Sequence, residues 1–276
     1  MPDAAFRRLG RLFADRHASG TSPYPRPLSR TPPRRADRGP LVTEILESLV
    51  LALTLVVTAD ADLVEIVLLS LRVSLTAVAL ACLVGLPFGA LLAVTRFAGR
   101  GALLVLTNAL MGLPPVVVGL IVYLALSNAG PLGPLGLLYT PTAMIIAQTL
   151  LITPIVAALS RAAIEPLHAE HEERFRSLGV PPGTAVATLL VDARHALLTV
   201  ALAGFGRAIA EVGAVIIVGG NIAHLTRVMT TAIALETSKG ELALALALGI
   251  VLVTMALAVN AAVMGLSPGG ARLAHP

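Results

Sequence analysis

The feature that most limits how this chain can fold is a stretch of sixty residues, 101–160, without a single Asp, Glu, Lys or Arg. A second uncharged stretch runs from 73 to 95 and consists mostly of Leu, Val and Ala. In a helix that rises 1.5 Å per residue, about 20 apolar residues cross the hydrocarbon core of a membrane. Both stretches therefore predict membrane-spanning helices.

The composition agrees with a polytopic membrane protein. The chain is 56% hydrophobic and only 13% charged, whereas about a quarter of the residues of a soluble domain are charged. Cys82 is the single cysteine, so an internal disulfide and a multi-cysteine metal site are both excluded. A soluble enzyme is excluded as well, and we expect an all-α transmembrane helical bundle.

Hydrophobic runs and turn residues predict five spans. The sixty-residue stretch is long enough for two crossings, and the Gly- and Pro-rich residues 127–134 are typical of the reversal between them. The predicted spans are 73–95, 102–126, 138–160, 196–219 and 242–266. Seven basic residues fall in the loops of one side and two, Arg227 and Lys239, on the other. The positive-inside rule then places residues 161–194 in the cytoplasm.

The basic character of the chain belongs to its first forty residues. Residues 1–40 hold nine Arg and three Asp, a net charge of +6, and the remaining residues have a net charge of −2. We therefore expect no nucleic-acid partner, since the rest of the chain offers phosphates no basic surface. The many prolines of 1–40 predict a disordered extension, which is either an arm for anionic lipid headgroups or dispensable; we favour the second.

The segments that flank the spans are short. Residues 41–62 contain an apolar run of about a dozen residues, less than a full span needs. We predict a short amphipathic or interfacial helix there; an additional short span and the core of a signal sequence are the alternatives. The main transmembrane domain covers 63–267, and 268–276 form a C-terminal tail.

The cytoplasmic segment 165–184 predicts a short helix of its own. Its acidic residues come first and its basic residues last, as the helix dipole favours, and Gly179 before two prolines is a typical C-terminal cap. One predicted face carries Leu167, His171, Phe175 and Leu178. Such a helix either docks into a groove of a soluble partner or lies along the membrane surface. His168 and His171 with Glu172 lack a nearby third ligand, so we expect no metal.

A pair of charges lies inside the fourth predicted span. Arg207 and Glu211 are four residues apart, so that they share a helix face and can pair. Each costs about 2.5–3.5 kcal/mol at the centre of a membrane helix. The pair either lines a translocation path or subunit seam, which we favour, or fixes helix packing. Gly206, Ala210 and Ala214 predict a small-residue ridge for close helix approach.

Two further sets of residues are candidates for the transport path. Pro114 and Pro115 in the second span predict a bent or broken helix beside a cavity, together with Gly119. On the outer side, Asn221, His224 and Arg227 follow the fourth span. They are expected either to receive an anion or anionic partner surface or to contact lipid headgroups.

At these residues the sequence resembles a known family. The run from Gly204 to Gly249 closely resembles the permease subunit of tungstate-type ABC importers, within the molybdate/sulfate oxyanion permease group. The blocks LLSLRVSLTAVALACLVGLPFGALLAVTRF and MGLPPVVVGL look like the same family. The resemblance covers nearly all of 60–266 and none of 1–40.

The resemblance implies a fold, partners and roles. It implies a bundle of the type I ABC importer kind, a homodimer of permeases, two ATP-binding subunits and an extracytoplasmic oxyanion-binding protein, in a bacterial-type plasma (inner) membrane. Glu173 and Gly179 match the family's coupling motif, whereas Arg174 and Phe175 replace its two alanines; Asp192 replaces a later proline. The family's GEFGA-like signature corresponds to residues 210–214, which include Gly213. Coupling would involve Glu173, Phe175, Leu178 and Gly179, and the path or gate Arg207, Glu211, Gly213, Pro114 and Pro115.

The sequence has no GxxxxGK[ST] loop that could cradle the phosphates of ATP. We therefore expect no enzyme and no cofactor in this chain, with ATP bound by a partner subunit. The expected function is import of an oxyanion, which the family resemblance implies to be tungstate, with molybdate or sulfate as alternatives. An alternative from another class is a self-contained secondary transporter or channel that uses Arg207 and Glu211.

Overall fold

The computed structural model describes residues 41–266, and every regular element among them is a helix. The predictions for 1–40 and 268–276 lie outside the described residues. The described residues form ten α-helices and one 3-10 turn: α1 Leu41–Val57, α2 Ala61–Val94, α3 Arg100–Met111, α4 Pro115–Leu126, the 3-10 turn Gly133–Leu135, α5 Pro141–Ser177, α6 Pro182–Asp192, α7 Arg194–Ile209, α8 Gly213–Gly219, α9 Met229–Lys239 and α10 Leu242–Leu266.

The first long helix begins earlier than the predicted span 73–95. It starts after Asp60, whose side chain accepts hydrogen bonds from the backbone N–H groups of Asp62 and Leu63. Glu65 and Arg72, the charges that limited the prediction, lie on its exposed side. The short helix predicted within 41–62 is α1, which ends at Val57. Its position relative to a membrane stays a prediction.

The second predicted span is a bent pair of helices. The axes of α3 and α4 differ by 99° across the break at residues 112–114. Pro114 is the N-cap of α4 and Pro115 its first residue, where a proline loses no helical hydrogen bond. The predicted break at these prolines is therefore present in the fold.

The third span and the cytoplasmic segment form one helix, which corrects the prediction of a separate short helix. α5 runs for 37 residues and contains both Pro154 and Pro166. A proline kinks a helix but need not end it when the neighbouring turns are held by packing. As predicted, the helix ends beside Gly179, whose φ of +64° lies in the left-handed region.

The fourth predicted span, 196–219, is also wrong as a single helix. Its residues divide between α7 and α8, with a break at 210–212. α7 pairs instead with α6, at an angle of 76°. Among the described residues, three helices are long and apolar enough to cross a membrane, and the count reaches five if each bent pair is one span. Counted that way, the number equals the five predicted spans, whereas the limits of the fourth span differ.

Helices α2 and α5 make the most extensive helix–helix contact among the described residues. A Cβ atom added to Gly89 would lie 2.2 Å from the carbonyl oxygen of Ala157, and one added to Gly85 3.0 Å from that of Thr153. Ser160 donates a hydrogen bond of 3.0 Å to Leu86 across the same contact. The predicted ridge of Gly206, Ala210 and Ala214 does not form, because the helix breaks within it and Gly206 has open space around it.

Candidate functional site

The predicted charged pair forms at the break between α7 and α8. An Nη atom of Arg207 lies 2.6 Å from a carboxylate oxygen of Glu211. The Glu211 side chain is 3% exposed, whereas that of Arg207 is 37% exposed. The carboxylate is therefore buried in the protein, and the guanidinium carries the accessible part of the pair.

Further hydrogen bonds hold the residues around this break. The second carboxylate oxygen of Glu211 accepts from the backbone N–H of Ala214, at 3.3 Å. Its backbone carbonyl accepts from the hydroxyl of Thr230 in α9, at 2.9 Å. The side chain of Glu211 thus accepts a hydrogen bond from a backbone N–H at the start of α8, and its backbone carbonyl links the break to α9. Both buried polar groups therefore have a partner, as buried polar groups require.

A small cavity of about 10 Å³ adjoins the break. Half of its ten lining residues are polar: Ser70, Ser74, Gln148, Glu211 and Thr230. Gln148 in α5 donates from its Nε2 to the carbonyl of Ala208 at 3.1 Å, and its Oε1 is buried without a hydrogen-bond partner among the described residues. Gln148 was not among the site residues predicted from the sequence. The available signal was an amide in the middle of a predicted span.

The break between α3 and α4 lies against the break between α7 and α8. The first interrupts the second predicted span, and the other interrupts the fourth. A Cβ atom added to Gly213 would lie 2.9 Å from Cγ2 of Val116, next to Pro114 and Pro115. One turn further, a Cβ atom at Gly119 would lie 2.8 Å from Cα of Ala214. The fold therefore brings the predicted path residues of the second and fourth spans into one region. We call the residues at these two breaks the break region: 112–116 and 207–214.

The predicted cytoplasmic face divides into a packed part and an exposed part. Phe175 is half-buried against a cluster that includes Ala90, Ile164 and Leu189, and its ring stacks on that of His168 at 6.4 Å. Leu178 is 77% exposed, so it does not share this face. The reason is that α5 ends at Ser177 and the chain turns at Gly179. Glu173 is exposed as well.

Ion pairs join the predicted cytoplasmic segment to the connection between α2 and α3 and to the start of α3. Arg100 and Arg161 both contact Glu165, at 3.2 and 2.6 Å. Arg96 lies 3.5 Å from Glu172. Between these elements is a cleft of about 650 Å³, lined by both polar and apolar side chains. Apolar packing and ion pairs therefore hold the exposed end of α5 in place.

Each residue that was predicted for the outer side has a partner among the described residues. The Nδ2 of Asn221 donates to the carbonyl of Thr231 at 3.3 Å, and Arg227 lies 3.8 Å from the buried carboxylate of Glu236. His224 bonds to Glu65 at 2.9 Å, and this hydrogen bond raises the pKa of His224 above its ordinary value. The positive charge of this face is therefore matched by carboxylates.

One group of side chains has the composition of a metal site. The ligand atoms of Asp62, Glu65 and His224 lie within 4.8 Å of one another, and all three residues are exposed. The hydrogen bond between His224 and Glu65 by itself explains their proximity. The histidines considered in the sequence, His168 and His171, instead pack against the ring of Phe175.

Comparisons with known proteins agree on one family. Residues 85–269 match the model of the family described as binding-protein-dependent transport system inner membrane component. The chain is 40% identical over 222 residues to the tungstate uptake system permease protein TupB of Peptoclostridium acidaminophilum, which covers 80% of this chain and 97% of that protein. It is 42% identical to a probable anion ABC transporter permease protein of Haloferax volcanii, over 72% of this chain and 88% of that one. It is 31% identical to the molybdenum transport system permease protein ModB of Azotobacter vinelandii, over 63% of this chain and 80% of that protein.

Proposed function

The chain belongs to the family of inner membrane components of binding-protein-dependent transport systems, and from this premise we propose that it is the membrane-spanning permease of an ATP-driven tungstate importer. It is a transport subunit rather than an enzyme, and a multi-pass membrane protein. The assignment of tungstate as the substrate rests on the 40% identity along 97% of a tungstate uptake permease.

Tungstate is favoured over molybdate by the extent of similarity. The molybdenum permease relative is 31% identical over 63% of this chain, against 40% over 80% for the tungstate relative. The two anions have the same charge and nearly the same tetrahedral shape. We therefore propose that the extracytoplasmic oxyanion-binding protein makes most of the distinction between them, and that the permease passes what that protein delivers.

We propose the break region as the place where the path opens and closes. Its support is a buried carboxylate, Glu211, held by an arginine that keeps more than a third of its side chain exposed. Non-helical backbone at membrane depth is stable only where protein or a water-filled cavity surrounds it. Arg207 offers an oxyanion a positive charge, and Glu211 limits how strongly the anion is held.

We propose that the exposed end of α5 receives the ATP-binding subunit. Leu178 offers an exposed apolar side chain, Glu173 is exposed near the end of α5, and Gly179 permits the turn that follows. The same 37-residue helix carries Gln148, which bonds to Ala208 near the break. Closure of two ATP-binding subunits on a homodimer of permeases would then rock α5 against α7. This chain itself holds no cofactor; ATP is bound by the partner subunits.

The proposal is tested by reconstitution in liposomes of the permease with its ATPase and binding protein. We expect accumulation of tungstate inside the vesicles that requires ATP, all three proteins and an intact membrane. Competition with molybdate and sulfate at equal concentration tests the substrate. Stronger inhibition by molybdate than by unlabelled tungstate would overturn the substrate assignment.

The same vesicles separate an ABC permease from a self-contained transporter. Accumulation by the permease alone, driven by an ion gradient, would contradict the ATP-driven mechanism. A bacterial-type plasma membrane is the proposed location, and fractionation of cells that express a tagged chain tests it.

A further inference from the structure

A groove of about 590 Å³ runs along the bundle between α2, α6 and α7. Ten residues line it, and nine of them are uncharged: Ala79, Cys82, Leu83, Leu86, Pro87, Leu190, Leu197, Leu198 and Ala201. The tenth is Arg194, the first residue of α7. The volume lies within the range of pockets that bind small molecules, roughly 300–1,000 Å³.

The walls of the groove divide into a firm floor and an open rim. Leu197 is 6% exposed and belongs to the cluster that packs α2, α5, α6 and α7 together. On the rim, Leu83 is 72% exposed and Leu198 is 43% exposed. The floor is therefore preformed by core packing, and the rim offers apolar surface to whatever enters.

Arg194 gives the groove a single, available charge. It is exposed, and it has no ion-pair partner within 4.0 Å among the residues that the structure describes. By the positive-inside rule the segment before α7 is cytoplasmic, so Arg194 lies at the level of the inner headgroups. An apolar groove with a single cation at this depth is complementary to an anionic amphiphile.

We propose that this groove binds an anionic phospholipid, with one acyl chain against the leucines and the phosphate on Arg194. A basic site between transmembrane helices on the cytoplasmic side is the arrangement that recognises anionic lipid headgroups. The long arginine side chain can reach the phosphate while its methylene groups cover apolar surface. A soluble anion would gain nothing from nine uncharged neighbours, and a neutral lipid would gain nothing from the arginine.

The sequence provides a clean reporter for the test, because the chain contains no tryptophan. Leu198→Trp places a single fluorophore on the rim of the groove. The full-length permease carrying it is reconstituted in vesicles of phosphatidylcholine with increasing fractions of brominated phosphatidylglycerol or brominated phosphatidylcholine. We expect several-fold stronger quenching by the brominated anionic lipid at equal low mole fraction.

Two variants make the result specific. Arg194→Gln in the Leu198→Trp background should remove the difference between the two lipids, and Arg194→Lys should retain most of it. Leu120→Trp, on the exposed apolar side of α4 and outside this groove, should show no preference. Leu83→Trp provides a second reporter on the opposite rim if Leu198→Trp inserts poorly.

The outcomes that overturn the proposal are distinct. Equal quenching by both lipids would mean that the groove faces bulk lipid without selecting a headgroup. Absence of quenching by either lipid at both rim positions would mean that protein covers the groove, such as a second copy of the chain. Neither measurement depends on which anion the permease transports.

Discussion

The guanidinium of Arg207 lies 2.6 Å from the carboxylate of Glu211, and the two residues stand on opposite sides of the end of α7. Arg207 is in the last turn of the helix, where a cation is favoured by the helix dipole. Glu211 follows the helix end and is almost fully buried. The two residues therefore have unequal roles: the arginine keeps a buried carboxylate neutralised at a point where the helix stops.

The different burial of the Arg207 and Glu211 side chains predicts the outcome of a double-mutant cycle. Arg207→Gln leaves the Glu211 carboxylate buried with only a backbone N–H as donor, so the free energy of unfolding should fall by about 1.5–3 kcal/mol. Glu211→Gln should cost less, because Arg207 still reaches solvent. The double variant should be more stable than Arg207→Gln alone. Denaturant unfolding of the purified permease in detergent measures all three, and additive effects of the two substitutions would contradict the pairing.

The contact between α2 and α5 predicts that Gly89 does not tolerate a side chain. The methyl group of Gly89→Ala would overlap a backbone carbonyl, so the helices must separate, at a cost of about 1–3 kcal/mol. Gly249→Ala is the matched control, because Gly249 lies within α10 with no atom near its Cβ position. The control should be neutral or stabilising by up to about 1 kcal/mol. Equal melting temperatures for the two variants would argue against close packing at Gly89.

The exposed end of α5 predicts a local effect on coupling. Leu178→Asp and Glu173→Gln should reduce the amount of ATP-binding subunit that copurifies with the permease and should lower ATP-dependent uptake. Neither should change insertion or melting temperature, since both side chains are exposed. Glu170→Gln, the same substitution on the exposed surface one turn earlier, serves as the control. Normal coupling in Leu178→Asp would refute the docking surface.

The hydrogen-bonded pair of His224 and Glu65 predicts that the stability of the protein depends on pH with a defined sign. The hydrogen bond that the His224 ring donates to the Glu65 carboxylate raises the pKa of His224 above 6.5, so the charged pair contributes fully at pH values below 6.5. The contribution is lost as the pH rises through the higher folded-state pKa. The melting temperature of the parent should therefore exceed that of His224→Gln at about pH 5.5 and approach it at about pH 8.5. Glu65→Gln should flatten the difference, and a gap that widens with pH would contradict the assignment.

The membrane-spanning class of the protein was predictable because it depends on composition along the chain. Sixty consecutive uncharged residues have few alternatives to transmembrane helices, and Pro114 with Pro115 marks a break in any helix that contains them. The pairing of Arg207 with Glu211 was predictable for the same reason, because both lie on one short stretch of chain. Their separation of four residues keeps them within reach of each other, although α7 ends at Ile209, between them.

Other features depended on residues that are distant in sequence. Pro166 looks like a helix boundary, yet α5 continues through it; its preceding turn is buried at Ile164 against α2, α6 and α7. Conversely, the run 196–219 is apolar enough for one span, yet it breaks at 210–212. There the break is stabilised by Gln148 and Thr230, which come from other helices.

The sequence by itself determined that this chain crosses a membrane several times, which family it belongs to, and where its charged pair lies, because those properties follow from hydropathy, local spacing and shared motifs. Only the tertiary structure decided where the helices stop, that the breaks at Pro114 and Glu211 meet, and that Gln148 faces the second of them. Hydrogen bonds and steric contacts between remote segments set those features, and a helix in a membrane has no water to satisfy the backbone groups that a break exposes.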